Sequence, residues 1–395
     1  MNNWLLISFI FIPLSFKCLA QDKVNPVEKD SINPTAKGDT LIFSGQLASW
    51  GLYNHGNNLP IILGARYITT LNYAFKLQND RQLDFEASAN IYGDIGIRPF
   101  DKAHTDGSLL PYRVWARYST KQLEIRLGLQ KINFGSATLL RPLMWFDQID
   151  PRDPLQLTNG VWGLLGRYYF LNNANLWLWC LYGNDKTRPW GAEKTNQKYP
   201  EFGGRFQSPV PKGEVAISFH HSVIDTQGLG TSIPAYPVVD ENRIGLDGKW
   251  DLGVGIWFEG TWVNKSKEIG ILTNTEILNV GTDNTFSIGN GLNVVFEQLL
   301  LSYDQKAFAF SKTIPFTGLS LSYPISMTDN INVISYYDWT NKTSYNFLNL
   351  KRQLNKIAFY IMAFWNPKNY QLPQQGNAGN LYSGKGIQLM LVFNH

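Results

Sequence analysis

Five arginines, Arg66, Arg113, Arg117, Arg126 and Arg167, are the residues whose type and placement point most directly to chemistry. A guanidinium stays charged at any physiological pH and presents a planar fork of donors that fits a carboxylate, sulfate or phosphate. Held side by side, the five would form a basic ladder for anions. Asp84, Glu86 and Glu124 lie in the same stretches. Paired with the arginines, they would instead give a mixed transverse field of alternating sign. Both readings stand at the level of sequence.

A second constellation lies in 131–160, where Arg141, Trp145, Phe146, Asp147, Asp150, Arg152 and Asp153 crowd an apolar, proline-stiffened segment. Three aspartates at three-residue spacing offer the oxygen ligands that a hard cation such as calcium takes. The segment lacks the EF-hand pattern, and Arg141 and Arg152 are salt-bridge partners for the same carboxylates, so no metal or other cofactor is assigned. His220-His221-Ser222 pairs a hydroxyl with a base, as nucleophilic catalysis requires. No Gly-x-Ser-x-Gly element accompanies it. His55, His104 and His395 are scattered without zinc-ligand spacing. The chain is not expected to be an enzyme.

A ladder needs neighbouring strands to carry its rungs, and the pattern after residue 40 supplies them. From Gln122 to Gln130 the odd positions are Leu123, Ile125, Leu127 and Leu129, and the even positions are Gln122, Glu124, Arg126, Gly128 and Gln130. Successive strand residues point to opposite faces, so one face meets an apolar medium and the other meets water. Eighteen such strands are predicted, at 41–50, 62–77, 81–93, 112–119, 122–130, 161–170, 175–182, 201–208, 213–222, 242–250, 253–263, 276–288, 292–303, 315–323, 331–339, 344–350, 356–365 and 386–393. Sixteen is the alternative count, because boundaries blur over 265–288. Every even-numbered connection is short and most carry turn residues, whereas the odd ones, including 94–111, 131–160, 183–200, 223–241 and 366–385, are mostly long. That parity is expected of an antiparallel transmembrane β-barrel with both termini on one side. It makes 131–160 the third external loop; its apolar, proline-stiffened segment is expected to fold inward as a constriction, with a surface lid packed over neighbouring loops as the alternative. Parity also turns Arg66, Thr70, Asn72 and Lys76 to the lumen, with Arg113, Arg117, Arg126 and Arg167 on the following strands. A charge facing lipid at mid-depth would cost about 2–4 kcal/mol, so the lumen is their inexpensive position.

The ends and the composition agree. Residues 1–20 combine an apolar run with Cys18-Leu19-Ala20 and read as a secretory signal cleaved after Ala20; 21–40 is a polar, flexible periplasmic tail; 41–395 is the barrel. A lipid anchor on Cys18 is the rival reading, disfavoured by Phe16-Lys17 before it. The remaining cysteine, Cys180, sits in an apolar-aromatic run as a small filler facing lipid or lumen. A net charge of +4 on 395 residues lacks the clustered basic surface that nucleic acid demands. Aromatics make up 14% and charged residues only 17% of the chain, yet no apolar run after the signal is long enough for a spanning helix, so lipid contact falls to strands.

Several runs carry a family resemblance: Gly128-Leu129-Gln130-Lys131-Ile132-Asn133-Phe134-Gly135, then Arg141-Pro142-Leu143-Met144-Trp145-Phe146-Asp147, Asp150-Pro151-Arg152-Asp153-Pro154, Gly160-Val161-Trp162-Gly163, and the Asp283–Leu292 stretch ahead of Glu297. They resemble outer-membrane porin families related to the alginate-export barrel, in versions found in Bacteroidetes. The resemblance implies an 18-stranded barrel with a constricted, often electropositive pore that passes small or polymeric anionic solutes. Phe393, near the C-terminus, resembles the signal read by the outer-membrane assembly machinery. The expected function is a passive channel in the Gram-negative outer membrane for small hydrophilic solutes. Export of an anionic exopolysaccharide and a non-conducting adhesion or scaffold barrel are the alternatives. Expected partners are membrane lipid, the solute and the assembly machinery. Solute, direction and oligomeric state are not readable.

Overall fold

A computed structural model describes residues 40–55, 57–230, 233–368 and 382–395. The expected signal at 1–20 and tail at 21–40 lie outside them, except for Thr40, which begins the first strand. The strands are β1 (Thr40–His55), β2 (Ile61–Leu77), β3 (Arg81–Arg98), β4 (Lys102–Ser119), β5 (Leu123–Gln130), β6 (Val161–Tyr169), β7 (Asn175–Leu181), β8 (Lys194–Thr195), β9 (Glu201–Val210), β10 (Gly213–Asp225), β11 (Val239–Asp251), β12 (Gly255–Lys265), β13 (Asn274–Phe286), β14 (Leu292–Asp304), β15 (Thr313–Pro324), β16 (Asp329–Asp338), β17 (Thr343–Gln353), β18 (Ile357–Trp365) and β19 (Lys385–Asn394). All pair antiparallel. β1 pairs with β2 on one side and with β19 on the other, from Gln46↔Asn394 to His55↔Lys385, which closes the sheet. Two-residue β8 is a loop fragment on β10, and β7 pairs with β9 directly, so the wall is a closed barrel of eighteen strands. The blurred region resolves into β12, a single 3-10 turn at Gly270–Thr273, and β13, which excludes sixteen.

Period-two alternation decides the two faces. Ile125, Leu127, Leu164, Leu178, Phe206, Ile217, Ile361 and Leu389 are exposed on the outer wall, as is Cys180. Aromatic pairs such as Tyr168–Phe170 and Tyr337–Trp339 flank that apolar surface near strand ends. No helix among the described residues is long and apolar enough to cross a membrane, so the strands are the only candidates for spanning.

One expected loop is not a loop. Residues 94–111, expected from the sequence to be a long external connection, are instead strand: β3 and β4 continue through them as a ribbon joined by 99–101. Main-chain pairing from Asp94↔Asp106 to Arg98↔Lys102 extends it; Ile95 and Ile97 continue the alternation on β3, whereas the β4 half from Lys102 to Asp106 is mostly polar. Phe100 turns the tip at φ 63°. The far edge of β4 pairs with β5 only from Val114 to Ser119, so the ribbon's upper half stands clear of the wall beyond it. Next to it, β5, β6 and β7 are three short neighbouring wall strands, with 8, 9 and 7 residues. The 131–160 segment leaves from that low sector.

Candidate functional site

Residues 131–160 run inside the barrel and pack against its wall. Ile132, Phe134, Leu139, Leu140, Leu143, Met144, Trp145 and Phe146 are buried, with Trp145 only 1% exposed. Bulk water would hold none of these side chains so completely, and each contributes roughly 1.5–3 kcal/mol by leaving water. They form two clusters. Phe134, Trp145 and Phe146 pack with Trp179 and Leu165 on the near wall, Phe134 stacking on Trp179 at 5.8 Å. Leu139 and Leu140 cross to Ile277, Leu299, Phe316 and Tyr336 on β13–β16. Gly245 on β11 admits this approach, because a Cβ there would occupy the place of Leu143 and crowd Trp145.

The loop's charged residues look after one another. Arg141 bonds Asp147 at 3.0 Å and Asn133, while its carbonyl accepts the Trp190 indole N–H at 2.8 Å, which ties the next external connection to this one. Arg152 forks onto Asp150 at 3.0 and 2.9 Å and lies over the Tyr382 ring. Asp153 accepts the N–H groups of Leu155 and Leu157. Burial pushes the Asp153 carboxyl above the usual range, with Asp150 adding to the rise against those two hydrogen bonds. The three aspartates therefore have separate partners, and no cluster suited to a metal occurs among the described residues.

All five ladder arginines lie on the inner face of β2, β4, β5 and β6. Each stacks on an aromatic ring: Arg66 on Tyr92, Arg113 on Tyr112, Arg117 and Arg126 on Trp115, and Arg167 on Trp177 at 3.9 Å. Sequence reasoning missed these stacking partners, although the alternation already turned Trp115 to the same face as Arg113 and Arg117. Glu124 is shared by Arg126 at 3.1 Å, Arg167 at 3.7 Å and Arg117 at 3.9 Å, and Arg117 also binds buried Asp84 at 2.9 Å. Glu86 is half-buried on the same face and lies within hydrogen-bond reach of Ser88. Arg113 instead holds the carbonyl and hydroxyl of Thr158, so it fastens the returning arm of the loop to β4 above the short sector. Arg113, Arg117 and Arg126 are buried, leaving Arg66 and Arg167 as the more accessible rungs.

His220 lies buried between the Trp179 indole N–H, which donates to Nδ1 at 3.1 Å, and Glu201, 3.2 Å from Nε2. Glu201 is in turn held by Arg188. The neighbouring His221 points the other way, toward Asn242.

Burial is unevenly distributed around the interior. The inner residues of β10–β14, among them Ser218, His220, Asp247, Glu259, Asn279, Glu297 and Leu299, are buried beneath the loop. On β1–β3 the inner Ala48, Leu52, Ile68, Asp84 and Ser88 are buried, but Gln46, Trp50, Arg66, Thr70, Asn72, Asn90 and Tyr92 stay half-exposed. A cavity of about 320 Å³ opens on this side, lined by Gln46, Ile68, Thr70, Tyr112, Leu155 and Leu157 together with Asn394.

No protein-family model matches the chain, and no curated protein matches it. Solved structures do. The chain is similar to OccAB4 of Acinetobacter baumannii, with 11% identity over 92% of this chain and 100% of that one and a TM-score of 0.54. It is similar to OccD3 (OpdP) of Pseudomonas aeruginosa, at 11% identity, 91% and 92% coverage and a TM-score of 0.53. OmpF of Salmonella typhi, solved in complex with daunomycin, aligns at 10% identity, 91% and 98% coverage and a TM-score of 0.51. The likeness is one of fold: a closed antiparallel barrel of the kind seen in solved outer-membrane porins.

Proposed function

We propose that this protein is an outer-membrane channel for passive diffusion of small hydrophilic solutes, with a modest preference for anions. The observation that carries the reading is the unequal burial of the interior, with the loop packed against β6–β7 and β11–β16 and half-exposed polar residues left along β1–β3. A barrel of this strand number leaves an aqueous lumen unless loops fill it, and here half-exposed polar side chains remain along β1–β3. The apolar outer wall supplies the lipid contact, and the interior removes the desolvation barrier.

Five guanidinium groups against Asp84, Glu86 and Glu124 leave the wall of β2–β6 net positive, which supports anions. The pairing of Arg117, Arg126 and Arg167 with Glu124 keeps that preference modest. A cross-section narrowed by a buried, two-sided loop supports small solutes over a polysaccharide chain in transit. The test is single-channel recording in a planar bilayer across a salt gradient. Steady conductance with a reversal potential on the anion side is expected. No conductance would overturn the channel reading, and cation selectivity at low salt would overturn the anion preference.

A further inference from the structure

Two carboxylates on the wall opposite the ladder are engaged by the loop's own backbone. Glu259 on β12 and Glu297 on β14 are inward-facing and at most 1% exposed. Glu259 accepts the Ala137 N–H through Oε1 at 2.7 Å and the Leu143 N–H through Oε2 at 3.1 Å. Glu297 accepts the Thr138 N–H at 2.7 Å, the Thr138 hydroxyl at 3.1 Å and the Leu139 N–H at 3.1 Å on Oε1, and the Leu140 N–H at 2.6 Å on Oε2. Asn279, on the strand between them, donates to both the Leu140 carbonyl and Glu297 Oε2. Successive peptide N–H groups that converge in this way make an anion-binding concavity, and the loop's concavities are filled by the barrel's own side chains. Gly135, at φ 101°, lets the chain close over Glu259, since a Cβ there would fall on its Oε1.

We propose that Glu259 and Glu297 are the positioning residues of the constriction: they set where the loop stands in the lumen, and thus its free width, without selecting ions. Their carboxyl oxygens face converging N–H donors, so little charge from this wall reaches a solute on the β1–β3 side. The proposal rests on the channel reading only for its electrical readout.

The experiment combines Glu259→Gln with Glu297→Gln. Each amide keeps one acceptor oxygen but turns donors toward the loop's N–H groups. In bilayers the double variant should move among two or more conductance levels where wild type holds one, with the reversal potential unchanged. In parallel, Leu140→Cys in a Cys180→Ala background is exposed to a membrane-impermeant maleimide. Labelling should be slow with both carboxylates intact and at least tenfold faster in the double variant. A single wild-type level with Leu140→Cys still protected would overturn the proposal, as would a shifted reversal potential without new levels, which would make the two residues selectors. If the double variant fails to reach its heat-modifiable folded form, Glu259→Gln alone and Glu297→Asp, which keeps the charge but draws it back by one methylene, are judged by the same outcomes. A wild type that conducts nothing sinks the channel reading alone, because the labelling rate still decides the positioning role.

Discussion

Glu124 lies within ion-pair distance of three guanidinium groups, more than any other carboxylate of the ladder. Glu124→Gln should therefore strengthen anion preference. One charge about 10 Å from the solute path in a watery lumen is worth a few tenths of a kcal/mol, so the anion-to-cation permeability ratio should rise roughly two- to fourfold, read from the reversal potential. Asp84→Asn should act differently. Its carboxylate is fully buried against Arg117, and stripping one member from a buried pair costs about 3–5 kcal/mol, so a lower unfolding temperature on heat-modifiability gels is the expected result. Asp153 adds a pH dependence. Its carboxyl titrates above the usual range because of burial first and Asp150 second, so mild acid neutralises it before an ordinary aspartate. Loss of that negative charge beside Arg66 should increase anion preference as pH falls, and Asp153→Asn should flatten this pH response.

At the scale of elements, the inward loop and the β3–β4 ribbon make opposite predictions. Deleting 139–154 removes the side chains that bridge near and far walls, so single-channel conductance should rise severalfold toward that of an unobstructed barrel of this size. Unchanged conductance would mean that the path never passed the loop. A milder variant, Trp145→Ala, leaves a large hole between Phe134, Phe146 and the wall, and should destabilise by about 3–5 kcal/mol while raising conductance noise. Replacing 95–105 with a tight Asn-Gly turn should leave both assembly and conductance as in wild type. That ribbon's upper half pairs with β2 along its β3 edge, from Gly64↔Asp94 to Ile61↔Ile97, but its β4 edge has no partner above Val114, and a changed conductance after trimming would show that it leans over the pore.

At the scale of the whole molecule, the proposed ion preference would be a summed field and must respond to screening. Raising salt toward 1 M shortens the screening length to about 3 Å, so the reversal potential per unit gradient should collapse toward the bulk-mobility value. A preference that persisted at that salt would point to direct binding of ions rather than to the net charge of β2–β6.

Alternation, strand number and turn parity were legible in the sequence because a barrel wall between two media must switch polarity at every residue, and that period is local. Ile125, Leu127 and Leu129 against Glu124 and Arg126 needed no partner to declare their faces. The 131–160 segment was equally conspicuous, since so many apolar residues between polar strands require cover. The tertiary structure alone decided the rest. The β4 half of the β3–β4 ribbon is held by main-chain pairing, which leaves no period in side chains such as His104, Thr105 and Asp106. The ladder's sharing of Glu124 depends on the register that sets Arg126, Glu124 and Arg167 within one carboxylate's reach. Glu259 and Glu297 meet the loop from more than a hundred residues away, and nothing near either residue in the chain specifies that distance. Hydrophobic period is written in neighbours along the chain, whereas ion pairs and backbone capping are written in neighbours across a closed sheet, which exist only once the barrel has closed.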